Sequence, residues 1–390
     1  MIYLHIGAHK TGTSSIQQAL NANRAKLESM GYIVLSDNKA SRGAFHGFAH
    51  AFEESKVSSI IDAIPVIAAT RARILLELDR NYIISAEALE ALSSSAIKEV
   101  ARVLAPHDVR VVVYLRRQEE IIQSKYLQQL KTGGVRCEFE HWFATNYGNA
   151  DSNNLRTFSY LRMLAKWAEV FGDQSLIVRT FERDRFVKGD LVEDFFSCLG
   201  LSEQQRSDLE KIKTANISPS YKSAVLLGAL AARNKDADRE TVKRCFKSLS
   251  SLTQKLGWTT KRSMLSSANV EHIRKLYAQM NQQVAEKYLS DLEGELFPEK
   301  AIPFAGPDDD LTPDDLINLI SALVLDGGRP QKVNRRSKKK RNKSLQGDAA
   351  LVTDSPESLS AEIVPKKKVK SPAAARKPKM SKKRAIAAAG

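Results

Sequence analysis

The first thirty residues leave this chain little freedom. Ile2-Tyr-Leu-His-Ile6 is an apolar run long enough for one buried strand. Gly7 to Ser14 follows with two glycines and a lysine. Ile16, Ala19, Leu20 and Leu27 then recur at helical spacing as far as Met30, and Gly31 stands where a helix would stop. Strand, glycine-containing loop and helix in that order make an anion site. The first turn of a helix has free N–H groups, glycines let the backbone close on a phosphate, and a lysine adds a full charge. The order within the loop is informative. A nucleoside triphosphatase loop reads G-x-x-x-x-G-K-[ST], with its lysine after the second glycine. Gly7 and Gly12 have that separation, but Thr13 stands in the lysine's place and the lysine comes earlier, at Lys10.

Four further strands are predicted at Tyr32 to Leu35, Asn81 to Ser85, Val109 to Leu115 and Ser175 to Glu182. The β-branched run of 109–115 predicts burial on both faces. In open α/β sheets ligands sit beyond the carboxyl ends of the strands. Glu87 therefore falls near the first loop if the strand before it neighbours the first; otherwise it simply opens the next helix, where a carboxylate is favourable. The run 109–115 ends at Arg116 and Arg117, and a helix from Gln118 places Ser124 two turns in. A guanidinium there offers a forked pair of charged hydrogen bonds and the hydroxyl a third. Arg116 takes this place by spacing; Arg117 is the alternative, or pairs with Glu120 or Glu87.

His46 and His50 are four apart and share a helix face. No acidic or cysteine third ligand accompanies them, so one is expected to face the pocket and the other to be an ordinary residue rather than a metal ligand. The polar stretch 36–44 is expected to loop over the mouth of the site. Phe139 to Tyr147 is aromatic-rich, and either lines an acceptor groove or caps the sheet. Tyr160 to Phe171 reads as a core helix, residues 221–295 as mainly helical, and Thr312-Pro-Asp-Asp315 as the start of a helix ending near Asp326.

The Lys10-Thr-Gly-Thr-Ser14 order resembles the 5′-phosphosulfate loop of the sulfotransferases. Arg116 with Ser124 eight residues on is similar to their 3′-phosphate site. Ser85-Ala-Glu87, the stretch from Ser175 to Leu201, and Asn216-Ile-Ser218 also look like bacterial members. The resemblance spans roughly residues 1–325. It implies an α/β fold of the P-loop NTPase-like kind, a parallel central sheet flanked by helices, with a helical acceptor side at about 215–295. It implies transfer of a sulfuryl group from 3′-phosphoadenylyl sulfate to a hydroxyl or amine of a glycan, glycolipid or small molecule. Lys10, Thr11, Gly12, Thr13 and Ser14 would hold the phosphosulfate, and Arg116 and Ser124 the 3′-phosphate. The base is Glu87 or His46, with Glu87 preferred. No metal is expected, because no aspartate is placed as in a nucleoside triphosphatase. The alternatives are a kinase-like phosphotransferase, and a non-catalytic nucleotide- or polyanion-binding module. The acceptor pocket, expected from 36–60, 136–155 and 215–265, carries no readable code.

Charge is distributed unevenly. Residues 331–390 hold 18 Lys and Arg against 4 Asp and Glu and no aromatic residue, while residues 1–330 hold 42 against 41. The tail is expected to be disordered, because it cannot bury a core. The expected division is therefore a catalytic domain over 1–326 and a basic tail over 327–390. Lys338-Lys-Lys-Arg341 and Pro365-Lys-Lys-Lys-Val-Lys370 within it suit nuclear import, a polyanion or a membrane surface. Cys137, Cys198 and Cys245 form no C-x-x-C, which suits a reducing compartment. With no secretory signal and no apolar run near the ~20 residues that span a bilayer, a cytoplasmic protein is expected.

Overall fold

The computed structural model describes residues 1–8, 10–37, 43–52, 64–148, 158–212, 218–289 and 295–327. The expected basic tail, the middle of the 36–44 loop and Asn216 lie outside them. Five strands form one sheet: β1 (Ile2–His5), β2 (Tyr32–Leu35), β3 (Asn81–Ser85), β4 (Val109–Leu115) and β5 (Leu176–Thr180). Their order is β2-β3-β1-β4-β5 and every pairing is parallel. Leu4 stands opposite Ile84 on one side and Val111 on the other. The α/β class, with a parallel sheet between helices, is the one expected from sequence.

The helices run α1 (Thr13–Ala22), α2 (Arg24–Ser29), α3 (His46–Ala51), α4 (Pro65–Leu76), α5 (Ser94–Leu104), α6 (Gln118–Lys131), α7 (Phe139–Tyr147), α8 (Tyr160–Phe171), α9 (Leu191–Cys198), α10 (Glu203–Ser207), α11 (Tyr221–Arg233), α12 (Arg239–Lys255), α13 (Ser267–Tyr288) and α14 (Pro313–Gly327). Side chains alternate along β4. Val111 and Val113 pack with Phe48, Ile97, Val100 and Trp167 of α3, α5 and α8. Val112 and Tyr114 pack with Ile16, Leu20 and Phe195 of α1 and α9. Both faces of the strand are buried from Val111 onward, which is why its sequence is apolar apart from the half-buried Arg110. A third core joins α6, α7, α11, α12 and α13 through Tyr126, Trp142, Leu227, Leu249 and Ile273.

One expectation is corrected. The first helical stretch is two helices, because Asn23 interrupts it. Its amide donates to the carbonyls of Ala19 and Glu210 at 3.0 and 3.1 Å, and its Oδ1 accepts the Glu210 N–H at 2.6 Å. A side chain spent on those backbone groups turns the chain and ties it to a distant loop. The aromatic stretch 139–147 forms α7, and Phe139 and Glu140 border a small cavity with Tyr221 and Met264. Phe139, Trp142, Phe143 and Tyr147 are buried in the helical core.

Candidate functional site

Because β1 and β4 are hydrogen-bonded neighbours, their carboxyl ends deliver two loops to one edge of the sheet. The Ile6 N–H still reaches the Val112 carbonyl at 3.1 Å before the first loop turns away. Gly7, Lys10 and Gly12 all adopt positive φ, at 44°, 69° and 77°. A Cβ on Gly12 would lie 2.3 Å from Leu191 Cδ2, and one on Gly7 2.8 Å from Thr13 Oγ1, so conformation and close approach both require glycine there. Thr11 Oγ1 donates to the Ala8 carbonyl at 2.5 Å and closes the turn. Gly12 then caps α1 with no side chain bonded to the first-turn N–H groups and no acidic residue in that turn. The Thr13 hydroxyl beside it is buried and has no hydrogen-bond partner among the described residues. The start of α1 thus presents donors that no capping side chain among the described residues accepts.

Arg116 arrives from the β4 corner. Its Nη1 donates to the Lys10 carbonyl at 2.8 Å and to Ser124 Oγ at 3.2 Å, and its Nε donates to Glu120 Oε2 at 2.8 Å. The guanidinium carbon lies 5.4 Å from the centre of the Phe181 ring. Tyr160 clamps the backbone here: its phenol accepts the Arg116 N–H at 3.1 Å and donates to the Arg116 carbonyl. Burial pushes that phenol well above its ordinary pKa, so it remains a donor. Arg117 turns the other way, and its Nε donates to Glu182 Oε1 at 2.6 Å. The expected partners Glu120 and Glu87 are thereby corrected to Glu182. Phe181, Phe186 and Leu191, with Glu120, Arg183 and Lys300, line an adjoining cavity of about 340 Å³.

Lys10 Nζ donates to Gln128 Oε1 at 3.0 Å, one turn beyond Ser124 on α6. Burial lowers the Lys10 pKa, the Glu87 carboxylate raises it, and Lys131 and Arg116 lower it again. Glu87 opens the short 3₁₀ turn Glu87–Ala91 straight after β3, the other neighbour of β1. It therefore heads a turn and also contributes to the field at Lys10. His46 heads α3, which is docked to the end of β3 by the Phe45 N–H on the Ser85 carbonyl at 2.9 Å. It is exposed, with its ring 6.4 Å from that of His50. Among the described residues no three His, Cys, Asp or Glu side chains converge on a point suited to a metal.

No protein-family model matches this chain. A curated protein of Archaeoglobus fulgidus, itself described as uncharacterized, is 28% identical over 145 residues, covering 37% of this chain and 36% of its own length. The chain therefore spans about a third of the curated relative it matches. A solved structure described as a sulfotransferase from Alicyclobacillus acidocaldarius is 13% identical, with a TM-score of 0.36 over 62% of this chain and 98% of that one.

Sequence reasoning passed over His5. It is fully buried on β1, its Nδ1 lies 2.8 Å from Ser85 Oγ, and that hydroxyl also accepts from Gln17 Nε2 at 3.3 Å. Its Nε2 has no partner among the described residues, and its ring packs against Phe195 and Tyr114. Burial draws its pKa from 6.5 to about 4, against an upward pull from Glu87, so the ring is neutral at pH 7. A polar residue inside an otherwise apolar strand was the available signal. Gln128 and Tyr160, which hold Lys10 and Arg116, gave no signal of that kind.

Proposed function

We propose that the protein is a sulfotransferase that moves a sulfuryl group from 3′-phosphoadenylyl sulfate to a hydroxyl or amine of a glycan, glycolipid or small molecule. The observation that carries this is the position of Arg116, bonded at once to the Lys10 carbonyl at 2.8 Å and to Ser124 Oγ at 3.2 Å. A fixed cation with a hydroxyl beside it stands next to an uncapped helix start that also has a lysine. Two anionic groups of one nucleotide fit that pair of sites better than one does. The partnerless Thr13 hydroxyl supports the same fit.

In this mechanism the N–H groups of Thr11 to Ser14, with the Thr13 and Ser14 hydroxyls, cradle the 5′-phosphate. Lys10 opposes the charge that grows on the bridging oxygen and phosphate as the S–O bond breaks. Arg116 and Ser124 grip the 3′-phosphate, and an analogue without it leaves those groups unpaired, which gives selectivity. Phe181 offers an aromatic face to the base. The acceptor oxygen or nitrogen forms the new bond to sulfur and adenosine 3′,5′-bisphosphate departs. The acceptor proton passes to Glu87, with His46 as the second candidate. Free thiols at Cys137, Cys198 and Cys245 favour a cytoplasmic setting.

Calorimetry tests the reading. Adenosine 3′,5′-bisphosphate is expected to bind without magnesium and much more tightly than ATP. Preference for ATP with magnesium would instead make the protein kinase-like, and no binding of either would leave a non-catalytic module.

A further inference from the structure

Ten large apolar side chains are well exposed among the described residues, and six of them fall on the single helix α14. Leu319, 5% exposed, anchors that helix in the helical core, and Lys222 Nζ holds Asp315 Oδ2 at 2.7 Å near its start. Asp314, Asn318 and Ser321 are also exposed, but most of the remaining surface is apolar. Ile317 and Ile320 are each 59% exposed and Val324 is 70% exposed; at i, i+3 and i+7 they form one stripe, flanked by Leu316, Leu323 and Leu325. Nothing in 313–327 is basic, and at 15 residues the helix is too short to span a bilayer. Soon after it, the sequence enters the sixty residues that carry 18 Lys and Arg against 4 Asp and Glu.

We propose that the exposed stripe of α14 and the basic segment that follows it act together to hold the protein on an anionic lipid surface. The inference is independent of the sulfotransferase reading. An apolar helix face lying in the headgroup boundary and a polybasic segment are each weak anchors, and stable attachment takes two such signals. The alternatives each leave one feature unused or opposed. A nucleic acid would take up the positive charge and leave six apolar side chains in water. A second copy of the chain would bury the stripe, but it would bring two segments of strong like charge together. An anionic bilayer satisfies both features.

Co-sedimentation of the full chain with vesicles tests this. Binding is expected to phosphatidylcholine vesicles that contain phosphatidylserine, not to phosphatidylcholine alone, and to be released by high salt. The double substitution Ile317→Glu and Val324→Glu should lower partitioning by about tenfold or more at an unchanged thermal midpoint, since both side chains are exposed. The milder pair Ile317→Ser and Val324→Ser should give a smaller loss in the same direction. Equal binding to neutral vesicles, or undiminished binding by both double variants, overturns the proposal. So does sedimentation equilibrium that shows a dimer the glutamates dissolve, or retention on nucleic acid in place of vesicles.

Discussion

Lys10 meets Arg116 through its carbonyl, not its ammonium, and it does so from a backbone conformation few side chains adopt. Lys10→Ala keeps that bond and removes the charge together with the exposed hydrogen bond to Gln128. Turnover should therefore fall by about 10²–10³-fold with the thermal midpoint nearly unchanged, as assays with radiolabelled donor and melting curves would read. Near-normal rates would remove Lys10 from the chemistry. Arg116→Ala should weaken adenosine 3′,5′-bisphosphate by about 2–4 kcal/mol in calorimetry. Arg117→Ala should act on stability instead, costing about 2–3 kcal/mol, because it leaves the buried Glu182 carboxylate with only the longer ion pair to Lys300 at 3.6 Å. Lys10, Arg116 and Ser124 were legible because loop order and helical spacing fix them locally. His5 was not, because its meaning depends on Ser85, which the fold brings to it from another strand. Its depressed pKa carries a sign. The unfolded chain binds a proton below about pH 6.5 that the native ring refuses until about pH 4, so stability is full above 6.5 and falls as the pH drops toward 4. The loss by pH 4 should be about 3 kcal/mol in urea titrations, and His5→Gln should flatten that part of the profile; an equally steep profile in the variant would assign it to other groups.

At the scale of elements, the sheet supplies what no single segment can. β1 lies between β3 and β4, so the lysine loop, the Glu87 turn and the Arg116 corner open on one edge. Each strand was readable as an apolar run, but their order was not, since neighbourhood in a parallel sheet is set by crossovers. The reading of one long first helix failed at Asn23, whose side chain binds a segment nearly two hundred residues away. The packing of α9 is another long-range device. Asp194 is fully buried on it and accepts from Tyr114 of β4 at 2.7 Å, from Arg179 of β5, and from the Val187 N–H at 3.1 Å. Asp194→Ala would leave a guanidinium and a phenol without their acceptor, and should cost about 3–5 kcal/mol in chemical denaturation. The same helix carries Leu191, which packs on Gly12, so donor binding should weaken as well. A stable Asp194→Ala variant with unchanged affinity would show that α9 does not support the loop.

For the molecule as a whole, the question is what the basic segment contributes to catalysis. The three cores of the described chain draw on residues between Ile2 and Leu319, and the groups gathered around Arg116 come from the same span. Residues 1–330 are close to electrically neutral, so removing 331–390 takes away nearly all the net charge and none of those contacts. A chain ending at Pro330 should keep its thermal midpoint, its affinity for adenosine 3′,5′-bisphosphate and, within about twofold, its turnover on a soluble acceptor, because the groups gathered around Arg116 all precede that point in the sequence. The same chain should lose its hold on anionic vesicles. The two results together would separate chemistry from placement. A fall in turnover on a soluble acceptor would mean instead that the basic segment takes part in the acceptor site. It would then have to be counted among the residues that recognise an anionic acceptor, since its sequence offers charge and little else.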